Sequence, residues 1–176
     1  MISVLIVDDE EITRHGLVSQ IDWDGNGVTI LGTAASAHEA LELMETDVPD
    51  VVILDIRMPE MDGIELLKLM RHTYPSIRAI LVSGYEQFEY AQEAVNARAF
   101  SYILKPIDNE LLLSRVLAAR GEIEEERRQI QEDAELRSRY AAWLPTIRNN
   151  IICSLVQGGA DREAVDLSDA VGLDLS

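Results

Sequence analysis

Five short, almost wholly apolar segments, each followed by a stretch with helical periodicity, constrain the fold of this chain more than any other feature. The segments are Ile2–Val7, Val28–Ala34, Val51–Asp55, Ala79–Ser83 and Ser101–Lys105. A strand exposed on one face alternates polar and apolar residues, so segments this rich in Val, Ile and Leu are typical of parallel strands buried on both faces. The pattern predicts an α/β domain with helices on both sides of one sheet.

Helix-start signals between the segments support this interpretation. Ser36 begins an S-x-x-E capping box, and Asp62 and Asp108 each stand just before an apolar helical pattern. Right-handed crossovers between the strands then give a doubly wound sandwich. We expect a flavodoxin-like (βα)5 sheet of five parallel strands in the order 2-1-3-4-5, covering residues 1–120.

The next segment, residues 121–144, is dense in charged residues. Val116, Ile123 and Ile130 recur every seven positions, which predicts a C-terminal helical extension with coiled-coil tendency. The heptad pattern is poor beyond Ile130, so a solvated helix without a partner is the alternative. We predict a charged helical linker over 121–144 that forms a coiled coil if it has a partner.

The charge balance limits the partners that this chain can have. Its formal net charge is −17 and its isoelectric point is about 4.4, which disfavours direct binding to nucleic acid or to anionic membranes and suits a site that collects cations. No apolar run approaches the roughly 20 residues that span a bilayer, and the N-terminus lacks the basic segment of a secretory signal. The single cysteine, Cys153, permits no internal disulfide, which fits a cytoplasmic location.

Polar residues stand at the carboxyl ends of four of the predicted strands. Asp8–Glu10 follow the first strand, Asp55 ends the third, Ser83 the fourth and Lys105 the fifth. Parallel strands point the same way, so these residues are expected to converge on one edge of the sheet. Clustered carboxylates attract a hard cation such as Mg²⁺, and a carboxylate beside it can attack phosphorus to form an aspartyl phosphate. Lys105 would supply a positive charge, and Ser83 a hydroxyl, to the new phosphoryl group.

With these motifs the chain resembles the receiver domains of two-component response regulators. The resemblance covers roughly residues 1–120 and is carried by VDDE at 7–10, ILDIRMP at 53–59 with Asp62-Gly63, LVSG at 81–84 and YILKP at 102–106. No single motif is decisive, because an isolated carboxylate is more often a cap or a turn residue and an isolated lysine is usually a surface residue. Their occurrence together, in order and at the right strand ends, is the specific signal.

The resemblance implies a role for each residue of the acidic cluster. Asp55 is the phospho-acceptor, Asp9 binds Mg²⁺, and Asp8 contributes to the metal site. Asp55 itself and the backbone carbonyl of Arg57 are further metal ligands. A sensor histidine kinase is implied as the partner that donates the phosphoryl group to Asp55.

The same resemblance implies how the signal leaves the site. Lys105 pairs with the phosphoryl group, and its bond to Pro106 is often cis in such domains. Ser83 takes the place of the switch hydroxyl and Tyr102 that of the switch aromatic, although half-buried strand tyrosines are common without such a role. Phosphorylation is then expected to reshape the face formed by helix 4, strand 5 and helix 5, and to bias a homodimer or the linker geometry.

A narrower resemblance concerns regulators with an AraC-type DNA-binding output domain. Ile21-Asp22-Trp23 and the run from Ser83 to Ala91 are similar to those proteins, in which the receiver is followed by a helical linker, an intermediary region and two helix-turn-helix units. Pro145 is expected to break or restart the helix here. We therefore predict that residues 145–176 are the truncated start of an intermediary region, and that DNA binding belongs to residues absent from this chain.

Two other functions compete with a phosphorylation switch. A Mg²⁺-dependent phosphatase that uses an aspartyl phosphate normally carries a second Asp two residues after the nucleophile, and Arg57 occupies that position here. An interaction module that needs no phosphorylation would be expected to lack Asp9, Asp55 or Lys105, and all three are present. We therefore favour a signalling module that catalyses its own phosphorylation and dephosphorylation over a metabolic enzyme.

Overall fold

The computed structural model describes residues 1–84 and 88–156, with side chains described as far as residue 141 except at 88, 89 and 139. The elements are β1 (Ile2–Val7), α1 (Glu11–Gln20), a 3-10 turn (Asp24–Asn26), β2 (Val28–Ala34), α2 (Ala37–Thr46), β3 (Val51–Asp55), α3 (Gly63–Thr73), β4 (Arg78–Ser83), α4 (Phe88–Asn96), β5 (Ser101–Leu104) and α5 (Asn109–Val156). The five predicted strand–helix repeats are therefore confirmed, with strand ends shifted by at most one residue.

The five strands form one parallel sheet in the order β2-β1-β3-β4-β5. This confirms the expected doubly wound topology. Each residue of β3 is buried, as expected for a central strand that is covered on both faces. The carboxyl ends of β1, β3, β4 and β5 consequently lie next to one another along one edge of the sheet.

Alternate side chains of β1 enter two separate hydrophobic clusters. Leu5 and Val7 pack with residues of α2, α3 and α4, whereas Val4 and Ile6 pack with residues of α1 and α5. Both clusters consist mainly of fully buried aliphatic side chains. The two clusters fix the sheet between two helical layers, so the strand ends that carry polar residues are held by a rigid core.

Helix caps agree with the sequence signals, with one difference in detail. Asp62 makes a complete capping box with Glu65, and the Asp108 carboxylate accepts hydrogen bonds from two backbone amides at the start of α5. The Ser36 hydroxyl accepts from the Glu39 amide, but the Glu39 carboxylate accepts from the amide of Ala35 rather than from that of Ser36. The box is thus displaced by one residue.

The C-terminal helix α5 is continuous through Pro145, so the predicted break or restart there is wrong. Proline removes one backbone donor from a helix, and this local loss can kink the helix without ending it. The heptad series also has a different origin from the one predicted. Val116 and Ile123 are buried in the core, and only the next member, Ile130, is exposed, at 63%. Up to Ile123 the period therefore reflects packing against the sheet.

The chain divides into two compact units, residues 1–124 and residues 125–176. The functional boundaries of the predicted linker, 121–144, and of the predicted intermediary region, 145–176, remain predictions. Residues 157–176 lie outside the described part of the chain. Among the described helices, none is both long enough and apolar enough to cross a membrane.

Candidate functional site

Three carboxylates meet at the carboxyl edge of the sheet. Asp8 and Asp9 directly follow β1, Asp55 is the last residue of β3, and one oxygen from each lies within 4.8 Å of the other two. Asp8 and Asp55 are 3% and 5% exposed, whereas Asp9 is exposed. Hard divalent cations bind sites built from carboxylate oxygens. The cluster therefore fits the predicted Mg²⁺ site in donor type and spacing.

Lys105 is the cation that the protein itself places in this cluster. It follows β5, and its Nζ lies 2.9 Å from Oδ2 of Asp8, 3.3 Å from Oδ1 of Asp55 and 4.0 Å from Oε2 of Glu10. The Lys105 amide also donates to the Ser83 carbonyl at 2.7 Å, which holds the residue beside β4. One ammonium group thus faces several carboxylates, which leaves net negative charge at the edge.

Burial raises the pKa of Asp55 to about 6, from an ordinary value of 3.8. The positive charge of Lys105 opposes this shift, while the negative charges of Asp8 and Asp9 add to it. The ionised form of Asp55 is consequently destabilised by its surroundings in the folded protein. A second cation beside it would relieve both the loss of solvation and the repulsion.

The pKa of Lys105 is also raised above its ordinary value. Burial alone would lower it, but the hydrogen bond to Asp8 and the charge of Asp55 outweigh burial. Lys105 therefore stays protonated throughout the physiological range. It can act as a fixed positive charge toward an anionic group on Asp55, but not as a base.

Gly63 holds Asp55 in place through a close backbone contact. A Cβ atom at Gly63 would lie 2.2 Å from the carbonyl oxygen of Asp55, so no larger residue fits there without moving backbone. The Gly63 amide donates to the Ile56 carbonyl at 2.9 Å, and Asp62 caps the helix that begins at Gly63. The cap explains Asp62 and the close backbone contact explains Gly63 in the Asp62-Gly63 pair.

The remaining predicted site residues lie on β4 and β5 or just after β3. Ser83 is buried at the end of β4, and the half-buried Tyr102 packs against the cluster that includes residues of α2, α3 and α4. The exposed Arg57 has its guanidinium carbon 5.9 Å from the centroid of the Tyr90 ring, within cation–π range. The Lys105-Pro106 bond is cis, as the resemblance implied. Tyr85–Gln87 lie outside the described residues.

Comparison with known proteins identifies the family. Residues 4–117 match the family described as the response regulator receiver domain. The chain belongs to this family. The receiver domain of AraT, a response regulator from Geobacillus stearothermophilus, is 38% identical and superposes with a TM-score of 0.66, covering 72% of this chain and 98% of that one.

Two curated relatives of this receiver are transcriptional regulators. It is 39% identical over 114 residues to the uncharacterized transcriptional regulatory protein YesN of Bacillus subtilis, covering 65% of this chain and 31% of YesN. It is 34% identical over 151 residues to the transcriptional regulatory protein HptR of Staphylococcus aureus, covering 84% of this chain and 57% of HptR. The chain thus spans less than two thirds of either relative.

Two contacts of the receiver site did not follow from the sequence. The Arg14 guanidinium donates to the backbone carbonyl of Asp8, and the Glu10 amide donates to the Asp8 carboxylate at 2.8 Å. Both fix Asp8 from the start of α1. The Glu10 contact could have been predicted, because Glu10 is only two residues from Asp8. The Arg14 contact could not, because it depends on the direction in which α1 leaves β1.

Proposed function

We propose that this receiver accepts a phosphoryl group on Asp55 from a sensor histidine kinase, in a Mg²⁺-dependent reaction that switches a transcriptional output. One observation carries the proposal. The Asp55 carboxylate is almost fully buried, lies 3.3 Å from the Lys105 ammonium, and has an oxygen within 4.8 Å of oxygens of Asp8 and Asp9. The site therefore has a nucleophile, a neighbouring positive charge and a set of metal-binding oxygens in one place.

In the proposed transfer, a carboxylate oxygen of Asp55 attacks the phosphorus of a phosphohistidine on the kinase. The new P–O bond forms as the P–N bond breaks, and the electron pair of the broken bond returns to the imidazole nitrogen. Asp55 must be ionised to attack, and a pKa of about 6 leaves most of it ionised at neutral pH. The Lys105 ammonium, already 3.3 Å from Asp55, then pairs with the phosphoryl oxygens.

Asp8, Asp9, Asp55 and the backbone carbonyl of Arg57 are the groups that would hold the metal. Mg²⁺ bound there would offset negative charge on the transferring group and orient it. Asp8 is positioned for this role by its hydrogen bonds to the start of α1, and the exposed Asp9 stays open to solvent and to an incoming donor. Gly63 supports the site because it keeps the Asp55 backbone in place.

The signal is proposed to leave through Ser83 and Tyr102. The Ser83 hydroxyl would move toward the phosphoryl group, and the Tyr102 ring would turn inward into the space vacated beside β4. The face of α4, β5 and α5 already exposes Val95, Leu104 and Leu111, which are available to a second copy of the chain. A homodimer through this face would bring two output domains together.

The helix beyond the receiver offers a second dimer surface. Among its residues with described side chains, Ile130, Leu136 and Tyr140 are exposed, and Arg128 forms ion pairs with Glu125 and Glu132. Leu136 and Tyr140 stand four positions apart and so lie on one face of the helix, and we propose that a second copy of the chain covers this face. The strongly acidic chain itself is not expected to bind DNA, so DNA binding is assigned to the output domain of the full-length protein.

The proposal is tested by intact mass after incubation with Mg²⁺ and a small acyl phosphate. The wild-type chain is expected to gain the mass of one phosphoryl group, and Asp55→Asn is expected to gain none. Asp47→Asn removes the same charge at an exposed position and should behave as wild type. An adduct on Asp55→Asn, or none on wild type even with a cognate kinase present, would exclude Asp55 as the acceptor.

Lys105→Ala is expected to keep the fold and to separate phosphorylation from any change in association. The variant lacks the ammonium that draws the phosphoryl group toward β5, so Ser83 and Tyr102 would not be driven to rearrange. Light scattering with and without the phosphoryl donor should show a shift toward dimer in wild type and in Lys68→Ala, whose lysine is exposed on α3. The same shift in phosphorylated Lys105→Ala would contradict this role.

A further inference from the structure

Three arginines line a recess at the amino-terminal edge of the sheet, away from the carboxylate cluster. The recess has a volume of about 450 Å³ and is bounded by the last turn of α3, the start of β4, the loop between α4 and β5, and α5. Arg71, Arg78 and Arg98 contribute the positive charges, and Glu122 is the carboxylate among the lining residues. In a chain whose net charge is −17, this local excess of positive charge is unusual.

Backbone carbonyls accept hydrogen bonds from two of these arginines, and the carboxylate of Glu122 also lies 3.6 Å from Nε of Arg78. Arg71 donates from Nη2 to the carbonyl of Arg98 at 2.7 Å, and Arg78 donates from Nη1 to the carbonyl of Ser76 at 3.0 Å. Such bonds orient a guanidinium without neutralising its charge. Arg71 Nε is in addition the one buried side-chain polar atom, among the residues described, that has no hydrogen-bond partner. Arg71 therefore keeps one buried N–H that no described protein group accepts.

We infer that this recess binds the phosphate group of a small molecule. Guanidinium groups form paired hydrogen bonds with phosphate oxygens, and several of them held in fixed orientations select a multiply charged oxyanion. The volume lies within the range of small-molecule sites. Phe100 lines the same recess and offers an apolar surface to an organic substituent of the phosphate.

The Glu122 carboxylate competes with a bound phosphate group for Arg78. Its Oε2 lies 3.6 Å from Nε of Arg78, and its side chain is well exposed. A phosphate group would displace this carboxylate, because it carries more charge and more acceptor oxygens. Since Glu122 belongs to α5 and Arg78 begins β4, occupancy would release one contact between the sheet and the helix that continues beyond the receiver.

The recess is separate from the proposed phosphorylation site. Arg78 and Ser83 stand at opposite ends of β4, which puts the two sites roughly 17 Å apart along the strand. Binding here therefore needs neither Asp55 nor Mg²⁺. Titration in divalent-free buffer separates the two sites, because the carboxylate cluster repels phosphate when no metal is present.

The test is an amide NMR titration of the whole ¹⁵N-labelled chain with inorganic phosphate, pyrophosphate and phenyl phosphate, at an ionic strength of about 0.15 M. We expect saturable shifts at the amides of Ala79, Ala99 and Phe100, and none at Ile56 beside the carboxylate cluster. Arg98→Gln should weaken pyrophosphate binding by about tenfold, the usual effect of losing a hydrogen bond to a charged group. Glu122→Gln should tighten it severalfold, because it removes the competing carboxylate.

Arg115→Gln is the matched control, since Arg115 is exposed on α5, does not line the recess, and its loss changes the net charge equally. Arg78→Gln is a second variant with the same expected weakening, and the spectra themselves report whether each variant is folded. Tighter binding of phenyl phosphate than of inorganic phosphate would assign an organic phosphate ligand, and equal binding would assign free phosphate. Absence of saturable shifts, or equal weakening by Arg98→Gln and Arg115→Gln, would overturn the proposal.

Discussion

Asp55→Asn is expected to raise the free energy of unfolding of the metal-free protein by about 2–3 kcal/mol at neutral pH. Burial raises the pKa of Asp55 to about 6 from 3.8, and each pKa unit corresponds to about 1.4 kcal/mol. The ionised carboxylate is therefore less stable in the folded chain than in the unfolded one. Asparagine has a similar shape and carries no charge to desolvate, so it removes this penalty while Lys105 keeps Asp8 as its partner.

The pH dependence follows from the direction of the shift. Between about pH 4 and pH 6 the folded state binds more protons at Asp55 than the unfolded state does, so wild-type stability falls as pH rises through this window. The difference between Asp55→Asn and wild type should be small below pH 4 and complete above pH 6. Mg²⁺ should stabilise the wild type far more than the variant, because a ligand that binds only the folded state adds to its stability.

Urea unfolding at several pH values, with and without Mg²⁺, measures these differences. Asp47→Asn controls for the change in net charge, because Asp47 is exposed and outside the cluster. It is expected to unfold like wild type at each pH. A metal-free Asp55→Asn that is no more stable than wild type at neutral pH would show that burial does not destabilise the ionised Asp55 carboxylate.

Gly63→Ala is expected to destabilise the receiver by about 3 kcal/mol and to impair phosphoryl uptake. The new Cβ would lie 2.2 Å from the carbonyl oxygen of Asp55 and 3.1 Å from Cα of Ile56. Both are backbone atoms between a central strand and its crossover helix, so they cannot yield as a flexible side chain would. Alanine favours helix over glycine by about 1 kcal/mol, which is too little to offset a clash of this kind.

Gly121→Ala is the matched control for this substitution. Gly121 lies in α5, and a Cβ there would meet no atom within 4 Å. It is expected to raise stability by about 0.5–1 kcal/mol through helix propensity alone. Thermal unfolding measures the stability of both variants, and intact mass after acyl phosphate treatment measures their phosphoryl uptake. Unchanged stability and uptake in Gly63→Ala would mean that the β3–α3 connection moves freely, contrary to the contact described.

The sequence by itself determined the sheet and the site at its edge. Strands such as β3 are apolar at every position before Asp55, which requires burial on both faces, and parallel strands must then bring Asp8, Asp55 and Lys105 to one edge. The caps at Asp62 and Asp108 act within one helical turn, so they too are visible in sequence. These features depend on local pattern and on one topological rule.

Only the tertiary structure decided which side chains of different elements contact one another. The heptad residues Val116 and Ile123 could have faced another helix or the sheet, and packing against the sheet was not encoded in their spacing. The close approach of Gly63 to Asp55, and the gathering of Arg71 with Arg98 around one recess, join residues from different elements. Periodicity specifies which face of an element is buried, whereas distances between elements, and the pKa of Asp55 that depends on them, arise only when the whole core is packed.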